Sequence, residues 1–340
     1  MIGRLSERIR TCLAPTAARH STCALVDFPN HSNVGDNAIW LGEIAWLANA
    51  GVRVVYRCDA KTYDRAALDR SLAGGGAIFI HGGGNLGDLW PRHQRLRETV
   101  IRDFPNRPVV QFPQTVHFQN RERIASTRAV FDAHDDLTLL VRDETSLALA
   151  RNEFRATSLL CPDMAFYLGA LARPRSPAQE IFWLRRGDRE AAGGEAPSAA
   201  GLVVADWLDG RRPLPDRARR LLRRFPIRLL ARSWFGRRAS RRLVEASYDW
   251  QAQRRVRFGC RLLASGRVVI TDRLHAHILS LLLGIPHVVL DNSYGKVRHF
   301  CQTWNTLSSP LVRWADAPAE ALTAARTLLD GGRDVDRPRS

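Results

Sequence analysis

Residues 271–277, TDRLHAH, put an acid, a guanidinium and two imidazoles directly behind the apolar run VVI at 268–270. Thr271 or Asp272 suits the cap of a following helix. The free N–H groups and dipole of that helix's first turn would then favour an anion. Arg273 adds a fixed positive charge, and His275 a group able to move a proton near neutral pH. A bare cap needs neither of these last two. His275 and His277 are two positions apart and point in different directions on a helix, whereas a metal-binding pair prefers i and i+4. No metal is therefore expected, and His277 is left undecided.

Other polar corners share this placement after a short apolar run. LRRGD (184–188) offers Arg185 and Arg186, a pair suited to a carboxylate or phosphate. LDNSYGK (290–296) offers Tyr294 and Lys296 beside a glycine, with Asn292 and Ser293. In the first half, HSNVGDNAIW (31–40) carries Asn33, Asp36 and Asn37, which suit either a turn or sugar hydroxyls. HGGGNLGD (81–88) satisfies the spacing GxGxxG, a weak signal alone. A dinucleotide fingerprint also needs an acid at the end of the next strand; that strand ends in QFPQ, and no Gly-Lys-Ser/Thr follows to make a Walker loop. The glycines then allow close backbone approach to a ligand, with Asn85, Asp88, His81 and Trp90 as side-chain contacts. QFPQT (111–115) adds Gln111 and Gln114 as donors, or is a proline-centred turn.

The elements that must position these residues alternate. Strand-like runs at 22–28, 52–57, 77–81, 108–112 and 137–142 alternate with helical stretches at 37–51, 92–103 and 121–134. After the proline-rich stretch 171–179 the pattern resumes, with strands at 180–186, 201–206, 267–271 and 286–291 and a helix over 272–284. Short apolar strands alternating with helices predict an α/β fold with parallel, doubly wound sheets covered on both faces. The expected layout is two Rossmann-like domains, 21–172 and 173–330, facing across a cleft. Residues 1–20 are read as an extension, 191–200 as a flexible loop and 331–340 as a tail. In such sheets ligands bind at the carboxyl ends of the strands, where all the corners above fall.

The chain has 340 residues, 45% of them hydrophobic and 25% charged, which describes a globular protein. No apolar run reaches the ~18 residues of a membrane span, and the N-terminus lacks a signal peptide's apolar core. A cytoplasmic protein is expected. The six cysteines are scattered without a CxxC pair, against a zinc knuckle or disulfide framework. The net charge is +17, and between residues 211 and 257 there are 16 Arg and no Lys against three acids. Such a segment attracts polyanions such as lipid headgroups or diphosphates, or is simply a solvated face. No nucleic-acid motif accompanies it, and no nucleic-acid partner is expected.

In order along the chain, NVGDNAI, GGGNLGD, PQT, VRDETS, CPDMAF, TDRLHAHILSLLLGIP and LDNSYGK resemble the polysaccharide pyruvyl transferase family over residues 22–305. The resemblance implies a fold similar to two-domain GT-B glycosyltransferases. It also implies transfer of the pyruvyl group of phosphoenolpyruvate to two hydroxyls of a sugar, giving a ketal and phosphate. On that reading Arg273 and His275 match the family's donor-binding and catalytic positions. Arg185, Arg186, Lys296, Tyr294 and Asp272 would complete the donor site. Asp36, Asn37, Asn85, Asp88, His81, Trp90 and Gln114 would hold the acceptor. His275 would protonate the methylene carbon or take the proton of the attacking hydroxyl. No cofactor is implied. The acceptor would be a sugar or lipid-linked oligosaccharide, with the basic segment 211–257 resting on anionic headgroups at the inner face of the cell membrane. The competing readings are a glycosyltransferase that binds a nucleotide sugar through Asp206 or Asp291, and a non-catalytic polyanion-binding module.

Overall fold

The computed structural model describes residues 1–187, 190–191, 199–207 and 234–333. Apolar strands of four to nine residues build the first sheet: β1 (Thr22–Val26), β2 (Arg53–Cys58), β3 (Ala77–Ile80), β4 (Gly83–Gly87), β5 (Val109–His117), β6 (Leu137–Val141) and β7 (Thr157–Leu160). Their order is β2-β1-β3-β5-β6-β7, with β4 also paired to β5. Every pairing is parallel. The accompanying helices are α1 (Ile2–Arg19), α2 (Val34–Asn49), α3 (Arg65–Ser71), α4 (Pro91–Asp103), α5 (Arg121–Phe131) and α6 (Glu144–Glu153).

A second parallel sheet holds β8 (Gln179–Leu184), β9 (Leu202–Ala205), β10 (Gly266–Thr271), β11 (His287–Val289) and β12 (Val312–Trp314). It runs in the order β12-β11-β10-β8-β9. Its helices are α7 (Trp234–Leu263), α8 (Leu274–Leu282), α9 (Lys296–Trp304) and α10 (Pro318–Arg333). Both sheets are of the Rossmann-like, α/β kind predicted from the strand–helix alternation. All four residues of β3 are buried, on both of its faces, which is why it reads as an unbroken apolar run rather than an alternating one.

Three apolar clusters hold this arrangement. One face of the first sheet (Ala24, Val26, Ile78, Ile80) packs on Leu68, Val100 and Phe131. The second sheet (Ile181, Val268, Val288) packs on Ala321, Ala325 and Leu329 of α10. The largest cluster is continuous between the sheets, joining Leu25 and Phe79 to Phe182 and Val269 through Ile39 and Trp40 of α2 and Leu279 of α8. Residues Leu5, Ile9 and Leu13 of α1, spaced four apart, are buried in that same cluster. The long helix α7 is tied to the first sheet: Asp249 accepts from Trp40 Nε1 at 2.9 Å and Arg57 at 2.7 Å, and Tyr248 stacks on Phe28 at 4.1 Å.

Three local expectations change. The glycine run expected as a loop contains a strand, β4. β5 continues through Pro113 to His117, so QFPQT lies inside a strand and makes no turn. The proline-rich stretch 171–179 is pinned to the second sheet's side, Leu171 N donating to Leu282 O at 2.7 Å and Ala178 N to Ser265 O at 2.7 Å. Most of the loop 191–200, the basic segment up to residue 233 and the tail from 334 lie outside the described residues.

Candidate active site

The carboxyl ends of β1, β3, β6, β8, β9, β10 and β11 converge, and the charged residues that follow them meet between the two sheets. His275, in the first turn of α8, has Nε2 3.2 Å from Asp163 Oδ2 and 3.4 Å from Arg142 Nη1. Asp163, which follows β7, is fully buried and receives Arg142 Nη1 at 2.6 Å and Ala165 N at 2.9 Å. Burial alone would push its carboxyl up, but His275 and Arg142 outweigh that and hold it far below the usual carboxylate range. Asp163 thus stays ionised and orients the imidazole through Nε2, leaving Nδ1 without a hydrogen bond among the described residues. That nitrogen lies against α2: a Cβ on Gly35 would come within 2.2 Å of it. Only glycine leaves the ring its place.

Arg142, at the end of β6, is fully buried. Its Nε donates to Thr115 Oγ1 at 2.9 Å, while Nη2 has no hydrogen-bond partner among the described residues. A buried guanidinium nitrogen without a partner is costly, and it is the arrangement an anion would complete. Across the glycine turn lies Lys296: a Cβ on Gly84 would meet Lys296 Nζ at 2.4 Å and Arg142 Nη2 at 3.0 Å. Burial lowers the Lys296 ammonium from its ordinary value.

The other predicted donor residues assemble here with partners of their own. Arg186 Nη1 and Lys296 Nζ approach the Glu190 carboxylate at 2.8 and 3.5 Å, and Tyr294 donates to it at 3.1 Å. The chain thus places its own carboxylate among cations suited to an external one. Arg273 Nη2 pairs with Asp206 at 2.5 Å, and its guanidinium lies 5.3 Å from the centre of the Trp207 ring. Arg273 is therefore held in an ion pair in this structure instead of standing open as an anion clamp. Asp272 accepts from Arg186 N at 2.9 Å, with its carboxyl pushed up to about 6 by burial, while Thr271 Oγ1 accepts from Arg273 N at 3.0 Å at the helix start. Arg185 is half-buried and bonded through its backbone N–H to Ala205 O at 3.0 Å.

The acceptor-side expectations divide. Asp36 sits in the first turn of α2, held by Asn33 Nδ2 at 2.8 Å. Burial would raise its carboxyl, yet His31, His275, His81 and Lys296 together keep it below its ordinary value. His81 is buried against Glu43. Five other residues serve the scaffold. Asn37 is fully buried, its amide donating to Asn33 O at 2.6 Å and its Oδ1 accepting from Arg255 at 3.2 Å. Asp88 accepts the backbone N–H groups of Gln119 and Asn120, both at 2.8 Å. Gln114 is buried, with Oε1 taking Asn85 N at 3.0 Å and Nε2 donating to His81 O at 3.1 Å. Gln111 accepts Arg97 Nε at 2.6 Å and donates to Ile80 O at 3.1 Å. Asn85 Oδ1 takes Arg97 Nη2 at 2.6 Å. Short polar side chains at strand ends satisfy buried backbone groups before any ligand arrives. Trp90 is half-buried at the start of α4.

His277 is structural. It is fully buried, its Nδ1 2.8 Å from His287 Nε2 and its Nε2 2.9 Å from Thr306 Oγ1, while His287 Nδ1 donates to Ile285 O at 2.7 Å. That chain is complete with both rings neutral, and burial lowers His277 well below its ordinary value and His287 to about 4. The unfolded chain therefore binds more protons than the native one between about pH 4 and 6.5, so stability is full above 6.5 and falls as pH falls through that window. The loss expected from His287 is about 3 kcal/mol, measurable as a fall in urea midpoint from pH 7.5 to 4.5. The variant His287→Gln should show a shallower decline; an unchanged slope would contradict this account.

Sequence reasoning assigned no role to Arg142, Asp163, Glu190 or Glu43. Arg142 and Asp163 lie immediately behind or shortly after apolar strands, the same signal that singled out Arg273.

A cation-rich corner with an oriented imidazole thus stands at the carboxyl ends of two parallel, Rossmann-like sheets. Comparison with known proteins gives the family. The family model described as polysaccharide pyruvyl transferase matches residues 33–233 and 256–294, and the chain belongs to that family. Pyruvyl transferase 1 of Schizosaccharomyces pombe is 35% identical over 303 residues, covering 83% of this chain and 69% of that protein. The EpsO protein of Bacillus subtilis is 32% identical over 288 residues, covering 84% and 86%. A crystal structure of protein KP1_0663 from Klebsiella pneumoniae superposes with a TM-score of 0.58 at 17% identity, covering 92% of this chain and 99% of that one, a likeness of fold.

Proposed function

We propose that the protein transfers the pyruvyl group of phosphoenolpyruvate to two hydroxyls of a sugar in a polysaccharide precursor, releasing phosphate. The observation that carries this is the unpartnered Arg142 Nη2 beside Lys296 Nζ and the Asp163-oriented His275 at one glycine corner. Phosphoenolpyruvate has a carboxylate and a phosphate, and such a donor needs clustered cations. Arg142 and Lys296 would take one group, and Arg186, with Tyr294, would receive the other in place of Glu190.

In the reaction His275 gives a proton to the methylene carbon, which makes C2 electrophilic. The first hydroxyl adds to C2 and passes its proton back to His275. The second hydroxyl then bonds to C2 as the C2–O bond to phosphate breaks. Phosphate leaves with the bonding pair and takes the second hydroxyl's proton. The arginines and Lys296 stabilise the charge that grows on the leaving group. Asp36, on the opposite side of the glycine turn, is placed to hold acceptor hydroxyls.

The alternative, a glycosyltransferase reading a nucleotide ribose, is disfavoured by the two acids it would use. Asp206 is paired with Arg273, and Asp291 accepts the backbone N–H groups of Val297 and Arg298 at 3.1 and 3.2 Å. On this reading the two sheets are the halves of a GT-B-like arrangement, with boundaries near 21–172 and 173–330.

Gly84→Ala tests the corner directly. The new methyl would displace the flexible end of Lys296 and crowd Arg142, so calorimetry should read phosphoenolpyruvate binding on the order of tenfold weaker, with the melting temperature little changed. Wild-type affinity in that variant would place the donor elsewhere.

Among the described residues no helix is long and apolar enough to cross a membrane. The basic segment is proposed to rest on anionic headgroups. Its described part, on α7, exposes Trp250 and Arg257. Sedimentation with phosphatidylglycerol vesicles and not with neutral ones is expected; equal binding to both, or none, would remove this role.

A further inference from the structure

The pair Glu43–His81 has a chemical character that packing does not require. Glu43, on α2, is fully buried, and His81, at the end of β3, is 1% exposed. Glu43 Oε2 lies 2.8 Å from His81 Nδ1, and Oε1 accepts from Gly82 N at 2.8 Å. Burying an ionic pair costs desolvation, and apolar residues of the same volume commonly pack as well or better. Moreover, His81 Nε2 is buried without a hydrogen-bond partner among the described residues. Both features cost stability, and both lie under the turn that carries the site.

That turn joins the two halves of the site. A Cβ on Gly83 would stand 3.5 Å from Asp36 Oδ1, and Gly84 lies against Lys296 and Arg142. The His81 carbonyl is fixed as well, accepting from Gln111 and Gln114 at 2.9 and 3.1 Å. The titratable groups acting on His81 are the acids Glu43 and Asp36 of α2 and Asp27 at the end of β1, together with the His31 ring before α2. Glu43 in turn faces Asp163, and Asp36 faces His31, His275 and Lys296. Although burial disfavours its charge, Glu43 first, and then Asp36 and Asp27, hold the His81 ring above its ordinary value.

We infer that Glu43 and His81 are a positioning dyad for the transfer reaction: a buried imidazolium, pinned through Nδ1, clamps the glycine turn in register with Lys296 and Arg142 and sets a fixed positive charge behind Asp36. The dyad acts through those residues and touches neither substrate. This rests on the functional reading above, so the test separates the two. Glu43→Gln keeps an acceptor for Gly82 N and the side-chain shape, and removes only the charge that holds the imidazolium.

Nitrogen chemical shifts of the histidine rings in the full chain, with His81→Gln used to assign the signal, report the charge directly. The His81 ring is expected to hold its proton to a higher pH in the wild type than in Glu43→Gln. Calorimetry with phosphoenolpyruvate should read binding on the order of tenfold weaker in Glu43→Gln, with a changed pH dependence. Should Glu43→Gln melt early, His81→Gln removes the same charge and should weaken binding to the same degree. A His81 ring that titrates alike in the wild type and in Glu43→Gln overturns the dyad. So does a folded variant that binds phosphoenolpyruvate with wild-type affinity at every pH. If the wild type binds no phosphoenolpyruvate, the functional reading fails, and the ring shifts still decide the charge of the dyad.

Discussion

His275→Asn is expected to lower the turnover number by about 10²–10⁴-fold while leaving phosphoenolpyruvate affinity and melting temperature close to wild type. In the proposed reaction the ring carries a proton between a hydroxyl and the methylene carbon. Its loss should not disrupt the fold, because Asp163 keeps Arg142 at 2.6 Å and the Ala165 N–H at 2.9 Å. Phosphate release from phosphoenolpyruvate in the presence of acceptor is the measurement. A variant that loses binding and turnover together would make His275 a donor ligand instead of the proton carrier. Turnover at the wild-type rate would remove it from the chemistry.

Arg142→Met is expected to damage both stability and binding, and a second substitution separates them. With the guanidinium gone, Asp163 is a fully buried carboxylate with only His275 for charge. Breaking such a pair typically costs ~3–5 kcal/mol. Changing Asp163→Asn in the same chain removes the stranded charge and should recover much of that loss by urea denaturation. Phosphoenolpyruvate binding should stay at least about a hundredfold weaker in the double variant, because the unpartnered Nη2 that faces the glycine corner is absent from both. Recovered binding in the double variant would mean that Arg142 serves only the scaffold.

The strand–helix alternation and the rule that ligands sit at carboxyl ends made the general layout legible. What escaped did so for physical reasons. β4 reads as a loop because five residues that include three glycines have no strand propensity. It pairs with β5 because so little side chain lets the two backbones close up. The apolar spacing of Leu5, Ile9 and Leu13 was visible, but its partner surface lies far along the chain. The site shows the same limit. Asn37, Asp88 and Gln114 are the residue types that bind sugars, and also the types that satisfy stranded backbone groups. Only the identity of their partners tells the two apart. Arg273 and Arg142 both follow strands and both face a buried acid, Asp206 and Asp163, but His275 and the glycine corner stand beside Arg142. The competing electrostatics of several distant residues decide that, and no local spacing records it.

The most direct test of the central claim is the melting temperature of the full chain with phosphoenolpyruvate, with UDP-glucose and with neither. A ligand at a hundred times its dissociation constant stabilises the native state by about 2.7 kcal/mol, a clear shift. Stabilisation by phosphoenolpyruvate, cut to roughly half in Gly84→Ala and largely lost in Arg142→Met/Asp163→Asn, is the expected result. Stabilisation by UDP-glucose alone would contradict it.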